Sequence, residues 1–205
     1  ALNDAAMDTR VKAVATSVMY DMSRAMGHGV GDGKDRYTTA DRRAVLRYLN
    51  EQRWKDAENG AYAPGGHDIY VDEKGNASAG DRILPETLPA NPNTVLKEFF
   101  DYYRMPRGFH ARSVNSTGAW NATMPLSFMN MPLLSYANEV TIPTLIVTGE
   151  KAHSRYFAED AFKAIGSKEK ELIIVPGANH VDLYDNAAGK IPFAKFEQFF
   201  KTSLR

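Results

Sequence analysis

Two apolar stretches in the last third of the chain decide its fold: Ile142-Pro143-Thr144-Leu145-Ile146-Val147-Thr148-Gly149-Glu150 and Glu171-Leu172-Ile173-Ile174-Val175-Pro176-Gly177-Ala178-Asn179-His180. Each is a short run of β-branched and aliphatic residues bounded by Gly or Pro, which is typical of a buried strand. Residues 155–165 between them favour a helix. A strand, a helix and a second strand in this order predict a parallel α/β sheet with a helical crossover.

Each of these strands ends at a turn that presents an ionisable side chain, Glu150 after the first and His180 after the second. The carboxyl ends of parallel strands meet at one edge of the sheet, where open α/β sheets hold their sites. A histidine can act as a general base near neutral pH, and a carboxylate can orient it. The sequence therefore predicts His180 and Glu150 as two members of a catalytic triad.

Other roles remain open for both residues. Asp160 and Asp182 are competing candidates for the acid, and Asp182 can instead hold His180 in a structural hydrogen bond. Glu150 can pair with a neighbouring cation or cap the next helix. In the same turn, His153 is a candidate substrate contact, and Ser154 is interpreted as the N-cap of that helix.

Composition excludes several classes of protein. The chain has 205 residues, 43% of them hydrophobic, which is enough for a packed core. Lys+Arg equals Asp+Glu at 25 each, so no basic excess indicates nucleic acid, and no polybasic run indicates a membrane surface. With no cysteine, disulfides, Cys-ligated zinc and a cysteine nucleophile within these residues are excluded.

An earlier strand is predicted over Val11–Met19, after a helix over residues 1–8. Tyr20 and Asp21 follow this strand and are candidate substrate contacts, although ordinary packing at a strand end is the favoured explanation. The final segment predicts an amphipathic helix with four phenylalanines on one face: Phe193, Phe196, Phe199 and Phe200.

The middle of the chain has mixed character. Thr38 and Asp41 form the start signal of a helix that ends at Asn59-Gly60, and Asn93–Tyr103 favours another helix. Tyr70–Ala77 predicts a short hairpin. We therefore expect a core built from residues 1–22 and 139–205, with residues 23–138 forming a cap.

Two features of this middle region have weak functional signals. The Gly-rich segment Gly27–Gly33 lacks the Gly-Lys-Ser/Thr ending of a phosphate loop. The histidines are scattered, with His67-Asp68 interpreted as a surface pair, so no metal site is expected. Apolar side chains in the cap favour either a substrate pocket or the cap's own core: Met105, Phe109, Trp120, Met124, Phe128, Met129 and Met131.

Three segments resemble the α/β-hydrolase superfamily, in particular bacterial proteins related to dienelactone hydrolases and S15-type peptidases. They are Ala1–Met22, Gly149–Phe157 and Gly177–Asp185. In that family the chain order is nucleophile, acid, histidine. The resemblance places the nucleophile elbow just before Ala1, and the position where many members carry the acid is Ala152 here. We therefore expect the chain to be part of a longer polypeptide.

The resemblance implies a hydrolase of an ester, thioester or amide that needs no cofactor or metal and acts on a small molecule. The alternative is a catalytically inactive, hydrolase-like binding module or fragment. We expect the segment that precedes Ala1, or self-association, to be needed for stability. The cysteine-free composition fits a cytoplasmic location, while a targeting signal upstream of Ala1 stays open.

Overall fold

The computed structural model describes residues 1–31, 33–66, 69–79, 84–118 and 120–204. The predicted surface pair His67-Asp68 lies outside the described residues. The chain divides into two compact units, the first built from Ala1–Asp21 with Pro132–Arg205 and the second from Met22–Met131. The predicted role of residues 23–138 as a cap stays a prediction.

The described residues form eight α-helices and five strands. The helices are α1 (Leu2–Met7), α2 (Met22–His28), α3 (Thr39–Asn59), α4 (Thr94–Tyr103), α5 (Val114–Thr117), α6 (Met124–Met129), α7 (Arg155–Ala164) and α8 (Phe193–Ser203). The strands are β1 (Val14–Ser17), β2 (Ile69–Val71), β3 (Ala77–Ala79), β4 (Thr144–Gly149) and β5 (Lys170–Val175). Short 3-10 turns occur at Ala137–Glu139 and Val181–Leu183.

The first unit contains a three-stranded sheet in the order β1-β4-β5. Both pairings are parallel, with Val14 opposite Thr144 and Gly149 opposite Val175. Helix α7 connects β4 to β5, as a parallel pair of strands requires. The predicted α/β class with a parallel sheet is confirmed.

Helices cover both faces of the central strand, which explains why all six residues of β4 are buried. Ile146 packs against Ala158 and Ile165 on one face, together with Leu2 of α1. Leu145 and Val147 belong to a second cluster, against which Phe196 and Phe199 of α8 pack. Alternate residues of β4 thus point to opposite layers, as the pleat of a strand dictates.

The core covers only part of the apolar face that the sequence predicts for α8. Phe196 and Phe199 contact the core, whereas Phe193 is 60% exposed and Phe200 is 37% exposed.

The second unit is organised around α3. Thr38 and Asp41 form a reciprocal capping box at its start, and Gly60 ends it in the left-handed conformation, as the sequence predicts. Its buried Val45 and Leu49 pack against Ile69 of the antiparallel hairpin β2-β3. The predicted hairpin is therefore present, with strands at 69–71 and 77–79.

One expectation for this unit is corrected. Residues 22–28 form helix α2, although the sequence indicated a strand end followed by a Gly-rich loop. Asp32 of that loop is not among the described residues.

The sequence left two roles open for the methionines of this unit, a substrate pocket or a packed core. Met129 packs against the α3–hairpin core, while Met105 and Met131 are exposed.

A cleft of about 830 Å³ in the second unit is lined mainly by polar residues. Asp56, Arg53 and Asn130 line it beside Met124. Within the described ranges, no helix is both long and apolar enough to cross a membrane.

Candidate functional site

The turns that follow β4 and β5 are joined backbone to backbone. The Glu150 N–H donates to the Val175 carbonyl at 3.0 Å, and the Lys151 N–H donates to the Ala178 carbonyl at 2.8 Å. Gly149 permits this approach, because a Cβ atom there would lie 2.3 Å from the Ala178 oxygen. The predicted meeting of the two strand ends at one edge of the sheet is thus a feature of the structure.

The loop that carries His180 is held by its own polar groups. The Asn179 N–H donates to the Asp182 carboxylate at 3.1 Å, and the Asp182 N–H donates to the Asn179 side-chain oxygen at 2.9 Å. The Lys190 ammonium lies 2.8 Å from the same carboxylate and also donates to the Gly177 carbonyl. Through these contacts Asp182 stabilises the conformation of the loop that carries His180.

The His180 side chain is buried, with 3% of the residue exposed, and its Nδ1 atom lies 2.6 Å from the Oγ atom of Ser154. Ser154 is 0% exposed. It occupies the N-cap position of α7, yet its side chain makes no capping hydrogen bond. The serine therefore supports the histidine across the two turns instead of the helix end.

Three half-buried rings surround the imidazole. The ring centroids of His153, Tyr184 and Tyr20 lie 5.0, 5.2 and 6.3 Å from that of His180. We call these residues, together with His180 and Ser154, the His180 cluster. Since Tyr20, His153 and Tyr184 are only partly buried, they form the accessible side of the cluster.

The chain reaches Tyr20 through a strained turn after β1. Val18 has a φ of 42°, which is unusual for a β-branched residue, and its N–H donates to the Val147 carbonyl at 2.8 Å. Val18 is also buried in the cluster that contains Leu145. Packing and this hydrogen bond together hold the backbone in a conformation that it would not adopt alone.

Burial determines the charge state of the imidazole. Removal from water lowers the pKa of His180 to about 3, and the neighbouring His153 acts in the same direction. His180 is therefore neutral at physiological pH, which is the protonation state that a general base requires.

The structure does not bring the predicted acid to the histidine. The Glu150 carboxylate is exposed and accepts the Gly177 N–H at 2.7 Å, while Ser154 contacts the Nδ1 atom of His180. These contacts do not support Glu150 as the residue that orients the imidazole, and that role stays a prediction. Asp160 pairs with Lys163 at 2.9 Å on helix α7, and Asp182 braces the loop, as described above.

The predicted substrate contacts have different positions. Tyr20 and His153 lie in the His180 cluster, and their centroids are 5.8 Å apart. Asp21 is buried, with 5% of the residue exposed, and follows Tyr20 directly. Its role toward a substrate stays a prediction.

Sequence reasoning missed the role of Ser154. A serine before a helix is interpreted as a cap, since that is the commonest use of a hydroxyl there. Its use as a partner of His180 depends on how two turns 26 residues apart meet, and no local pattern reports this distance. In the described part of the chain, no group of three or more His, Asp or Glu side chains is placed to hold a metal ion.

A relative of unassigned activity matches the whole chain. The chain is 47% identical to the uncharacterized protein PA2218 of Pseudomonas aeruginosa over 207 aligned positions. The alignment covers 100% of this chain and 49% of that protein. The crystal structure of hypothetical protein PA2218 superposes with a TM-score of 0.81 at 45% identity, covering 98% of this chain and 56% of the other. The chain thus spans about half the length of this relative. No family model matches the sequence.

More distant solved structures define the fold. The α/β hydrolase GrgF from a Penicillium species superposes with a TM-score of 0.54 at 15% identity, covering 100% of this chain and 60% of GrgF. DcsB, solved in complex with its substrate analogue, gives a TM-score of 0.57 at 14% identity, covering 98% of this chain and 60% of DcsB. The chain therefore has an α/β-hydrolase-like fold, and its reaction is a matter for proposal.

Proposed function

We propose that the protein is a hydrolase that cleaves an ester, thioester or amide of a small molecule through an acyl-enzyme, with His180 as the general base. The observation that carries this proposal is the position of His180: a neutral histidine on the loop after β5, at the carboxyl edge of a parallel sheet. Fold likeness alone supports only the hydrolase class.

The proposed chemistry moves one proton twice. A hydroxyl or thiol attacks the substrate carbonyl carbon, and its proton passes to Nε2 of His180. The imidazolium then gives this proton to the leaving group as the acyl bond breaks. Water then attacks the acyl-enzyme, with His180 again taking and returning a proton. This second step releases the acid and restores the nucleophile.

In this proposal the nucleophile lies outside residues 1–205. Ser154 is unsuitable because it is fully buried and contacts Nδ1 instead of facing a substrate. The chain has no cysteine. The chain covers 49% of its relative PA2218, and the other half of that protein is long enough to hold a nucleophile and further strands.

The substrate is proposed to approach over the half-buried rings of the His180 cluster. Tyr20 and His153 would then contact it, as would Asp21 if its carboxylate turns toward the cleaved bond. No cofactor is required by this chemistry. Association with the segment that precedes Ala1, self-association and a cytoplasmic location remain parts of the proposal.

The test is intact-mass analysis of the protein from its native source, with and without a fluorophosphonate or iodoacetamide probe. We expect one added probe mass on a Ser or Cys outside residues 1–205. His180→Gln should abolish labelling, whereas the matched control His28→Gln, which changes an exposed histidine, should leave it unchanged. Absence of labelling in the parent protein would overturn the proposal.

One observation favours a second candidate function, a hydrolase-like protein that binds a ligand without turnover. His180 is buried, and the side chain that contacts its Nδ1 is a neutral hydroxyl, which cannot stabilise an imidazolium as a carboxylate does. On this alternative, a small ligand would protect the His180 cluster from amide hydrogen exchange, although no probe would label the protein.

A further inference from the structure

The hydrogen bond between Ser154 and His180 has a direction that matters for chemistry. A carboxylate at Nδ1 can only accept, so it forces the imidazole to carry its proton on Nδ1 and leaves Nε2 free as a base. A serine hydroxyl can donate or accept. Replacing the carboxylate with serine therefore leaves the tautomer to be determined by the surroundings.

The surroundings of Ser154 favour donation. The residue is 0% exposed, and the contact of its Oγ with Nδ1 of His180 is the hydrogen bond that the described structure gives its side chain. If Nδ1–H donated to Oγ, the hydroxyl hydrogen would have no acceptor among the described residues. A buried donor without an acceptor is unfavourable. If the hydroxyl donates to Nδ1, both atoms are satisfied by one bond.

We infer that Ser154 is a positioning residue whose hydroxyl donates to Nδ1 of His180 and thereby holds the resting imidazole in the tautomer that carries its proton on Nε2. In this state His180 offers a hydrogen-bond donor, not a base, to whatever lies at Nε2. This inference rests on the proposed function only for its consequence for catalysis, since the tautomer itself is a property of the folded chain.

The consequence is a resting site that is not ready for attack. Before His180 can take a proton at Nε2, the ring must lose the proton on Nε2 and gain one on Nδ1. The Ser154 hydroxyl must also rotate, so that its oxygen accepts the hydrogen bond from Nδ1–H. The rate is then reduced by the fraction of molecules in the competent tautomer. In serine proteases, loss of the residue that enforces this tautomer lowers turnover by roughly 10⁴.

Three aromatic rings from other segments face the imidazole. They belong to His153 in the turn after β4, Tyr20 in the segment after β1, and Tyr184, which follows the 3-10 turn. The Glu150 carboxylate, in the same turn as Ser154, is bound to the Gly177 N–H.

The experiment is long-range ¹H–¹⁵N NMR of the protein labelled with ¹⁵N-histidine, which distinguishes a protonated from an unprotonated ring nitrogen. His180→Gln assigns the resonances by their disappearance, and His28→Gln serves as the control. We expect an unprotonated Nδ1 and a protonated Nε2 at pH 7 in the parent. A protonated Nδ1 in the parent, or a charged ring, would overturn the inference.

Variants of Ser154 separate positioning from a structural role. Ser154→Thr keeps the hydroxyl and should keep the parent tautomer, whereas Ser154→Ala should populate both. Ser154→Asp should move the proton to Nδ1 and, if the proposed hydrolysis is correct, raise the probe-labelling rate at least about tenfold. An unchanged tautomer in both Ser154→Ala and Ser154→Asp would contradict the inference.

The outcomes for tautomer and for activity are independent. If the parent protein shows the expected tautomer but reacts with no probe, the proposed hydrolase function fails and the role of Ser154 stands. If the protein is labelled while Nδ1 of the parent is protonated, the hydrolase stands and the role of Ser154 fails.

Discussion

The Oγ atom of Ser154 and the Nδ1 atom of His180 lie 2.6 Å apart in a buried contact between the turn after β4 and the turn after β5. The same two turns are joined by the backbone bond from Lys151 to Ala178. The contact places a neutral hydroxyl at the ring nitrogen that a carboxylate contacts in a Ser-His-Asp triad. The charge state and hydrogen-bonding direction of His180 are therefore the central questions for function.

Acid should destabilise the protein through His180. Burial lowers the pKa of this residue to about 3, below the value of 6.5 expected for an unfolded chain. Between these two pH values the unfolded state binds a proton that the folded state does not, so the free energy of unfolding falls as pH decreases. The expected slope from this residue is about 1.4 kcal/mol per pH unit.

The measurement is urea denaturation at several pH values between 6.5 and 3 for the parent and His180→Gln. The variant should lose this part of the pH dependence, while His28→Gln should retain it. Parallel pH profiles for the parent and His180→Gln would show that His180 is not buried in the neutral form.

Gly149 should tolerate no side chain. A Cβ at this position would lie 2.3 Å from the Ala178 oxygen, so Gly149→Ala must push apart the turns that hold Ser154 and His180. We expect a loss of about 1–3 kcal/mol in the free energy of unfolding, as for other overpacked sites. The His180 ring resonances should shift as well.

The control is Gly27→Ala in helix α2, where an added Cβ meets no atom within 4 Å. This variant should be neutral or more stable by about 0.5–1 kcal/mol, because alanine favours a helix over glycine. Equal effects of the two substitutions would disprove the close approach at Gly149.

Asp56 should stabilise the end of α3 through one oxygen only. Its Oδ1 accepts the Gln52 amide at 2.7 Å and the Ala63 N–H at 3.0 Å, while its buried Oδ2 has no partner within the described residues. Asp56→Ala should therefore lower the free energy of unfolding by about 1–3 kcal/mol.

Asp56→Asn keeps an acceptor at the Oδ1 position and removes a buried charge. It should retain most of the stability of the parent in the same denaturation measurement. If Asp56→Asn were as destabilising as Asp56→Ala, the charge of Asp56 and not its acceptor would be the stabilising feature, which would point to a cation in the neighbouring cleft.

Local sequence patterns were sufficient for the elements of the sheet. A buried strand such as β4 is indicated by its continuous apolar run, Leu145–Val147, and by the glycine at its end, and both signals are local. The capping box at Thr38 is equally local. Helix α2 was missed because Gly27 and the Gly-rich segment after it indicated a loop.

The pairing of side chains within the site depends on geometry that a one-dimensional pattern lacks. The sequence correctly indicated which turns meet, but not that Glu150 bonds to the Gly177 N–H while Ser154 bonds to the imidazole. Both side chains follow β4 within five positions. Their directions are set by the path of the turn, which the contact with Ala178 determines.

Glu150 offers a direct test of this assignment. Glu150→Gln keeps an oxygen that can accept the Gly177 N–H, and the residue is exposed, so the fold should be unaffected. If Ser154 is the partner of His180, the rate of labelling by a fluorophosphonate or iodoacetamide probe should change by no more than about threefold, as expected for a surface substitution. Because the carboxylate does not contact the imidazole, the tautomer of His180 should also be the same. A fall in labelling of a hundredfold or more, with the fold intact, would restore Glu150 as the acid and would require the turn after β4 to rearrange in the active protein.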